Sequence, residues 1–364
     1  MKVVFLGLSI TSSWGNGHAT NYRGLVRELA ARGHQVLFCE RDVPLYENSR
    51  DLRELRGARL CLYGSVDELA EVAGDQIARA DLVIIGSHVP EGAAVAEYVL
   101  SITRGRTAFY DIETPMTIAK LAAGDNEYLT PSLIPRFDLY LSSTGGPTLS
   151  TLENEYGARR AIAFYGLVDP RGYLTVASRP CWDLGYIGSY SEDRLPGLQS
   201  LLLAPAGALR ARRFVVAGPQ YPESIDWPAN VARIQHVAPG RHAVFYGAQR
   251  FTLNLTRAEM KAAGWSPSVR LFEAAAAGTT IISDSWPGLE EFFTPEKEII
   301  VAQSADDVLR TLIETGIEQR VALAARARER VLREHTAARR VDLLQAELHE
   351  LSPMGARRGK TSLA

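Results

Sequence analysis

Cysteine is scarce in this chain: three in 364 residues, Cys39, Cys61 and Cys181, with no C-x-x-C pair and no Cys/His cluster. That leaves no thiolate zinc site, and the runs LFC and LCLY around Cys39 and Cys61 read as buried, inert thiols. A basic excess is also missing. Forty basic side chains face 42 acidic ones, a net charge of −2, whereas nucleic-acid binders usually carry a positive surplus, so nucleic acid is not expected as a partner. Long apolar runs are absent too. No window approaches the ~18 consecutive apolar residues of a membrane span. The N-terminal MKVVFLGLS is too short for a signal peptide and runs straight into a polar loop, Thr11 to Thr20. It reads as a first buried strand, and a cytoplasmic protein is expected.

What is present is 46% apolar and 23% charged, an average globular composition. At roughly 100–200 residues per domain the length suits about two domains. Short runs recur: 3–9, 35–39, 59–64, 81–87, 107–113, 137–143 and 161–167. They are apolar throughout rather than alternating, which marks parallel strands covered on both faces. Helical stripes lie between them, the clearest made by Tyr22, Leu25, Val26, Leu29 and Ala30 and ended by Gly33. The rhythm breaks at 168–182, read as a linker, and restarts at 183–189, 212–219, 231–237, 251–256, 279–284 and 298–302. The expectation is an α/β protein of two doubly wound parallel sheets, 1–170 and 171–335. A helix at 336–352 would pack back on the first domain, and 353–364 would form a disordered tail. Ligands in such sheets bind at the carboxyl ends of the strands, so two facing sheets predict one cleft.

The most informative segment is GWSPSVRLFEAAAAGTTIISDSWPG, 264–288. Ser266 suits a helix cap and Pro267 a first turn. The amides near Ser268 and Val269 would then be free to bind phosphate, with Arg270 adding charge. Glu273, two turns in, could accept hydrogen bonds from ribose hydroxyls. The alternative is an Ala-rich packing helix with a surface Glu.

The loop after the first strand, 9–24, holds Gly15, Gly17 and His18. The glycines permit close backbone approach, and His18 could act as a general base. A dinucleotide site is the rival reading, with Glu40 or Asp42 after the second strand, although Thr20 replaces the third glycine of that fingerprint. In FYDIETP, Asp111 and Glu113 would share one side of a regular strand end and could activate an acceptor hydroxyl. Arg194, Arg250 and Arg257 cluster around second-domain strand ends, where cations could stabilise a departing diphosphate. Gly188, next to Ser189, and Gly218 close their strands and leave room for a ligand. His236 and Val237, at the end of VARIQHV, could lie near the base.

SPSVRLFEAAAAGTTIISDSWPGLEEFF resembles the donor-binding segment of GT-B glycosyltransferases, in particular the spore-maturation-protein-like branch. The resemblance extends to FYDIETP, SSTGGPTL, FVVAGPQYP and QRFTLNLTR. It implies a GT-B fold, a C-terminal domain that binds nucleoside diphosphate and an N-terminal domain that binds acceptor. Glu273 would hold the ribose, and Ser268 and Val269 the diphosphate. Retaining members often show two Glu seven residues apart, and here the first position is Trp265. The expected reaction is sugar transfer from a UDP- or dTDP-sugar to a hydroxyl of a small-molecule, glycan or peptide acceptor. No metal and no cofactor are expected, and the reading leans to inversion. The alternatives are a nucleotide-sugar 2-epimerase, an NAD-dependent oxidoreductase and a non-catalytic nucleotide-sugar-binding protein.

Overall fold

The computed structural model describes residues 1–14, 16–52, 54–173 and 180–351. Gly15 and the proposed tail at 353–364 lie outside the described residues, as does the middle of the 168–182 linker. No helix among them is long and apolar enough to cross a membrane.

Two parallel sheets organise the chain. The first contains β1 (Lys2–Gly7), β2 (Gln35–Arg41), β3 (Ala58–Tyr63), β4 (Leu82–Gly86), β5 (Arg106–Asp111), β6 (Leu139–Ser142) and β7 (Ala161–Ala163). The second contains β8 (Trp182–Ile187), β9 (Phe214–Ala217), β10 (Val231–Ile234), β11 (Gln249–Asn254), β12 (Thr280–Ser283) and β13 (Ile300–Val301). Each apolar run read from the sequence is one of these strands. All five residues of β4 and all four of β9 are buried, as expected for strands with helices on both faces.

The strand orders are β3-β2-β1-β4-β5-β6-β7 and β10-β9-β8-β11-β12-β13. In both, the chain first winds one way and then returns to the other side of its first strand. The switch points therefore fall between β1 and β4 and between β8 and β11, where loops diverge and leave a crevice. The segments after these four strands carry His18, His88, Ser189 and Arg257.

The C-terminal segment visits both domains. Helix Ile317–Glu334 puts Leu323, Ala327 and Val331 into second-domain cores. Helix Ala337–Glu350 inserts Ala337, Val341 and Leu344 beside Val3, Phe5 and Leu25 of the first. Between them, the Val168 amide donates to the His335 carbonyl (3.0 Å), and the Ala337 amide to that of Val168 (2.9 Å).

Candidate active site

A cavity of about 780 Å³ lies between the carboxyl ends of the two sheets. Its first-domain wall begins with the loop after β1. Glu40, fully buried, accepts from Ser9 Oγ (2.9 Å), the amides of Ile10 (2.7 Å) and Thr11 (3.0 Å), and Thr11 Oγ1 (2.6 Å). This corrects the dinucleotide reading: of the two candidate ribose ligands, Glu40 is consumed in shaping the loop and Asp42 is paired with Arg50 at 2.6 Å. Asn16 anchors the loop end by donating to the Ser9 and Ser12 carbonyls, while its Oδ1 accepts from the His18 amide at 3.0 Å.

His18, so placed, opens helix His18–Ala31 and lines the cavity. Its Nδ1 is buried without a hydrogen-bond partner. Burial pushes its pKa down to about 4, against the opposing charge of Glu113. The imidazole is therefore neutral and proton-accepting near pH 7. His88, in the loop after β4, stands edge-on to it with ring centroids 5.5 Å apart. His88 Nε2 lies 3.6 Å from Glu113 Oε2. Burial raises the Glu113 carboxyl, but His88, His18 and Arg257 outweigh it and hold it at about 2.

Asp111 and Glu113 do not share a face. β5 ends at Asp111, and Glu113 caps helix Thr114–Ala122. Asp111 is fully buried and accepts from Tyr140 Oη (2.6 Å), Thr117 Oγ1 (2.8 Å) and the Glu113 amide (3.3 Å). It organises the turn and does not line the cleft, a correction to its place beside the acceptor.

The second-domain wall is built around helix Val269–Ala276. The helix starts later than the sequence suggested: Ser268 is the cap, its Oγ accepting from the Arg270 amide at 3.4 Å. Pro267 precedes it and lines the cavity. Ser266 is instead buried, its Oγ 2.8 Å from Thr144 Oγ1 of the first domain. The fixed φ of Pro267 holds the entry to the cap without joining the helix. Ser268 and Val269 face the cavity, where free helix amides attract anions.

Arg270 is pinned by donating to Asn254 Oδ1 (3.1 Å), the Leu255 carbonyl (3.4 Å) and the Ile187 carbonyl, with its guanidinium 4.9 Å from the Tyr186 ring centroid. Arg194 donates to the Ser189 carbonyl at 2.8 Å. Arg257 reaches Asp193 (3.7 Å) and Glu113 (3.9 Å). All three arginines line the cavity, as do Gly188, Ser189, Gly218, His236, Val237 and Glu273. Gly218 has φ +143°, and a Cβ there would sit 2.0 Å from the Gly188 carbonyl oxygen, so only glycine fits.

Arg250 is elsewhere. It lies near the amino end of β11, paired with Asp183 at 2.8 Å. In a parallel sheet that is the edge opposite the cleft, so this placement corrects its grouping with the diphosphate ligands.

Glu273 is 4% exposed. Tyr246 Oη donates to its Oε2 at 3.2 Å, and His242 Nδ1 lies 3.3 Å away. Neither partner was singled out from the sequence, nor was His88. Trp14, whose ring centroid sits 4.9 Å from that of His236 across the cleft, was missed as well. His88 does directly follow the run DLVIIGS at a switch-point strand, a signal that was available.

His18, His88 and Glu113 present ligand atoms all within 4.8 Å of one another. Two imidazoles and a carboxylate are also a set that a zinc-like cation accepts. The same three groups can equally form a base and its electrostatic support.

Residues 197–346 match the family model described as glycosyl transferase-like. No curated protein matches the chain. Among solved structures, it superposes on the sucrose-phosphate synthase of Thermosynechococcus elongatus with TM-score 0.69 and 15% identity, over 97% of this chain and 100% of that one. The Anabaena protein HepE in complex with UDP-glucose matches with TM-score 0.68 and 13% identity, over 96% and 100%. An alpha-glucosyltransferase in complex with UDP and a 13-mer DNA matches with TM-score 0.66 and 11% identity, over 95% and 99%. The paired parallel sheets and the cleft at their switch points give this chain the GT-B fold, and its second domain resembles the glycosyl transferase-like family.

Proposed function

We propose that the protein transfers a hexosyl group from a UDP-sugar to an acceptor hydroxyl with inversion and without a metal. The observation that carries this is His18: a neutral imidazole on the acceptor wall, its Nδ1 unpartnered, beside an ionised Glu113. His18 takes the acceptor proton as the acceptor oxygen bonds to the anomeric carbon. The bond from that carbon to the diphosphate oxygen breaks, and its electron pair leaves on the nucleotide. Glu113 stabilises the imidazolium that forms. Arg257, Arg270 and the amides at Ser268–Val269 face the oxygen on which negative charge develops. Glu273 accepts from the ribose hydroxyls, and Gly188, Ser189, Arg194, Gly218, His236 and Val237 shape the rest of the donor wall. Among the described cavity-lining residues the carboxylates are Glu113, Glu127 and Glu273. Trp265, at the position of the first Glu of the retaining pair, instead donates from Nε1 to Glu291 at 2.6 Å.

UDP as the carrier is supported by its presence in the complexes of HepE and of the alpha-glucosyltransferase. The DNA bound by the latter does not transfer readily to a chain with net charge −2. A small-molecule, glycan or peptide acceptor is favoured.

The test is UDP-glucose with an acceptor panel in EDTA, read by proton NMR. A new glycoside of inverted anomeric configuration with free UDP is expected. Retained configuration overturns the mechanism. Epimerised nucleotide-sugar with no glycoside overturns transfer.

A further inference from the structure

His242 opens helix His242–Gly247, and both of its ring nitrogens face acceptors. Nδ1 lies 3.3 Å from both carboxylate oxygens of Glu273. Nε2 lies 3.0 Å from the carbonyl oxygen of Val237. An ionised carboxylate and a peptide carbonyl offer no proton, and a neutral imidazole carries only one N–H. Both contacts are satisfied only when the ring holds two protons. We propose that His242 is a resident imidazolium that ties Glu273 to the backbone at 236–237, so that nucleoside-diphosphate affinity falls when this proton is lost. The inference rests on Glu273 as the ribose ligand.

From helix Val269–Ala276 comes the Glu273 carboxylate, which favours the charge. Tyr246, on the same helix as His242 and with its ring 6.3 Å away, donates to that same carboxylate at 3.2 Å. Tyr173, from the connection between the domains, also acts on Glu273 and lowers its pKa. His236 lies on the chain leaving β10 and its charge would oppose a second cation. Asp51, from the first domain, favours one. Arg241, next in the chain, is exposed. The start of a helix disfavours a cation, but this helix has only six residues and the carboxylate is in direct contact. Burial pushes the imidazole down, yet Glu273, Val237 and Asp51 outweigh it and the net direction is up. Burial likewise raises Glu273, and His242, Tyr173 and Tyr246 reverse that.

Loss of the proton forces the ring to abandon one partner. Either Glu273 loses its fixed orientation or the 236–237 backbone, which lines the cavity, is released. His242 is thus a positioning residue that links two parts of the donor wall.

The experiment is calorimetric titration of UDP between pH 5.5 and 9 into the parent and His242→Gln. In the parent, affinity should hold at pH 7 and fall on the order of three- to tenfold as pH rises further, since Glu273 and Val237 hold the imidazole above its ordinary value of about 6.5. His242→Gln should bind at the weakened level throughout. Titration of the nucleotide's own phosphate is common to both proteins and cancels in their ratio. Nitrogen-15 NMR of labelled histidine should find both His242 nitrogens protonated at pH 7, and Glu273→Gln should return the ring to one proton. A parental affinity and pH profile in His242→Gln, or one protonated nitrogen at pH 7, overturns the inference. If 2′,3′-dideoxy-UDP binds the parent as well as UDP does, the ribose reading fails instead. GDP and ADP are titrated in the same way if UDP is silent, and silence of all three removes the donor reading.

Discussion

The Glu113 carboxylate of the first domain lies 3.9 Å from the Arg257 guanidinium of the second. The pair spans the cleft from the turn after β5 to the segment after β11. Both side chains retain some exposure, 33% and 28%, so the contact adds little stability. Its weight is positional, since the cation expected to meet the diphosphate also helps to keep Glu113 ionised beside His18.

His18→Ala should lower turnover about 10²- to 10⁴-fold, the usual cost of losing a general base, with a smaller effect on donor affinity. The parent rate should be flat from pH 6 to 9 and fall in acid. A base must be unprotonated to act, and burial has moved the His18 transition down to about 4. A turnover profile with an inflection near pH 6.5 in the parent, or unchanged turnover in the variant, contradicts this role.

Glu273→Ala should weaken UDP binding on the order of 10- to 100-fold, since a hydrogen bond to a charged group contributes about 1.5–3 kcal/mol. The substitution should also cost stability. Removing the carboxylate leaves His242 and Tyr246 facing an empty, buried position, and uncompensated buried groups cost about 1–3 kcal/mol. Melting temperature should fall in Glu273→Ala and less in Glu273→Gln, while both lose discrimination between ribo and dideoxy nucleotides by calorimetry.

Transfer should survive EDTA. Zinc at micromolar concentration should inhibit, because it would occupy His18 and Glu113, and His88→Ala should relieve that inhibition. Activity lost in EDTA and restored by manganese or magnesium would mean that His18, His88 and Glu113 serve a cation in catalysis.

His335 gives the fold a pH dependence. It is 6% exposed, stacked on Phe272 at 4.2 Å, and its Nδ1 accepts from Arg340 Nη2 at 2.8 Å. Burial and the Arg340 charge push its pKa down to about 3. The folded value is below the unfolded one of about 6.5, so the unfolded chain takes up the proton first. Stability is then complete above about 6.5 and is lost as pH falls towards the folded value, by on the order of 3 kcal/mol at pH 4. Melting temperatures between pH 8 and 4 should show this decline, and His335→Phe should flatten it. An equal slope in both proteins would assign the acid sensitivity to other groups.

The strands were legible because parallel strands buried on both faces need unbroken apolar runs, and DLVIIGS or RRFVVAGP satisfies little else. Helix Val269–Ala276 was legible because serine, proline and alanines have local meanings, although its cap is Ser268 and not Ser266. Depth was not legible. Asp111 and Glu113 differ by two residues, yet one is sealed under Tyr140 and the other opens to the cleft, because the strand stops between them. Arg250 was misplaced because being near a strand in sequence does not say which end it occupies. His242 acquires meaning only through a partner 31 residues away: no local pattern announces a contact made by folding.

The chain crosses between domains twice, and the crossings lie side by side: Val168 pairs with His335 and Ala337 through backbone hydrogen bonds. Helix Ala337–Glu350 then completes the first domain's core. The first domain is therefore discontinuous in the gene, although it is one body in space. Cutting the protein after its second sheet would strip Ala337, Val341 and Leu344 from beside Val3 and Phe5, leaving an apolar groove on the first domain. A chimera that exchanges second domains should place its second junction near His335 and keep the terminal helix with the first domain it was built to fit.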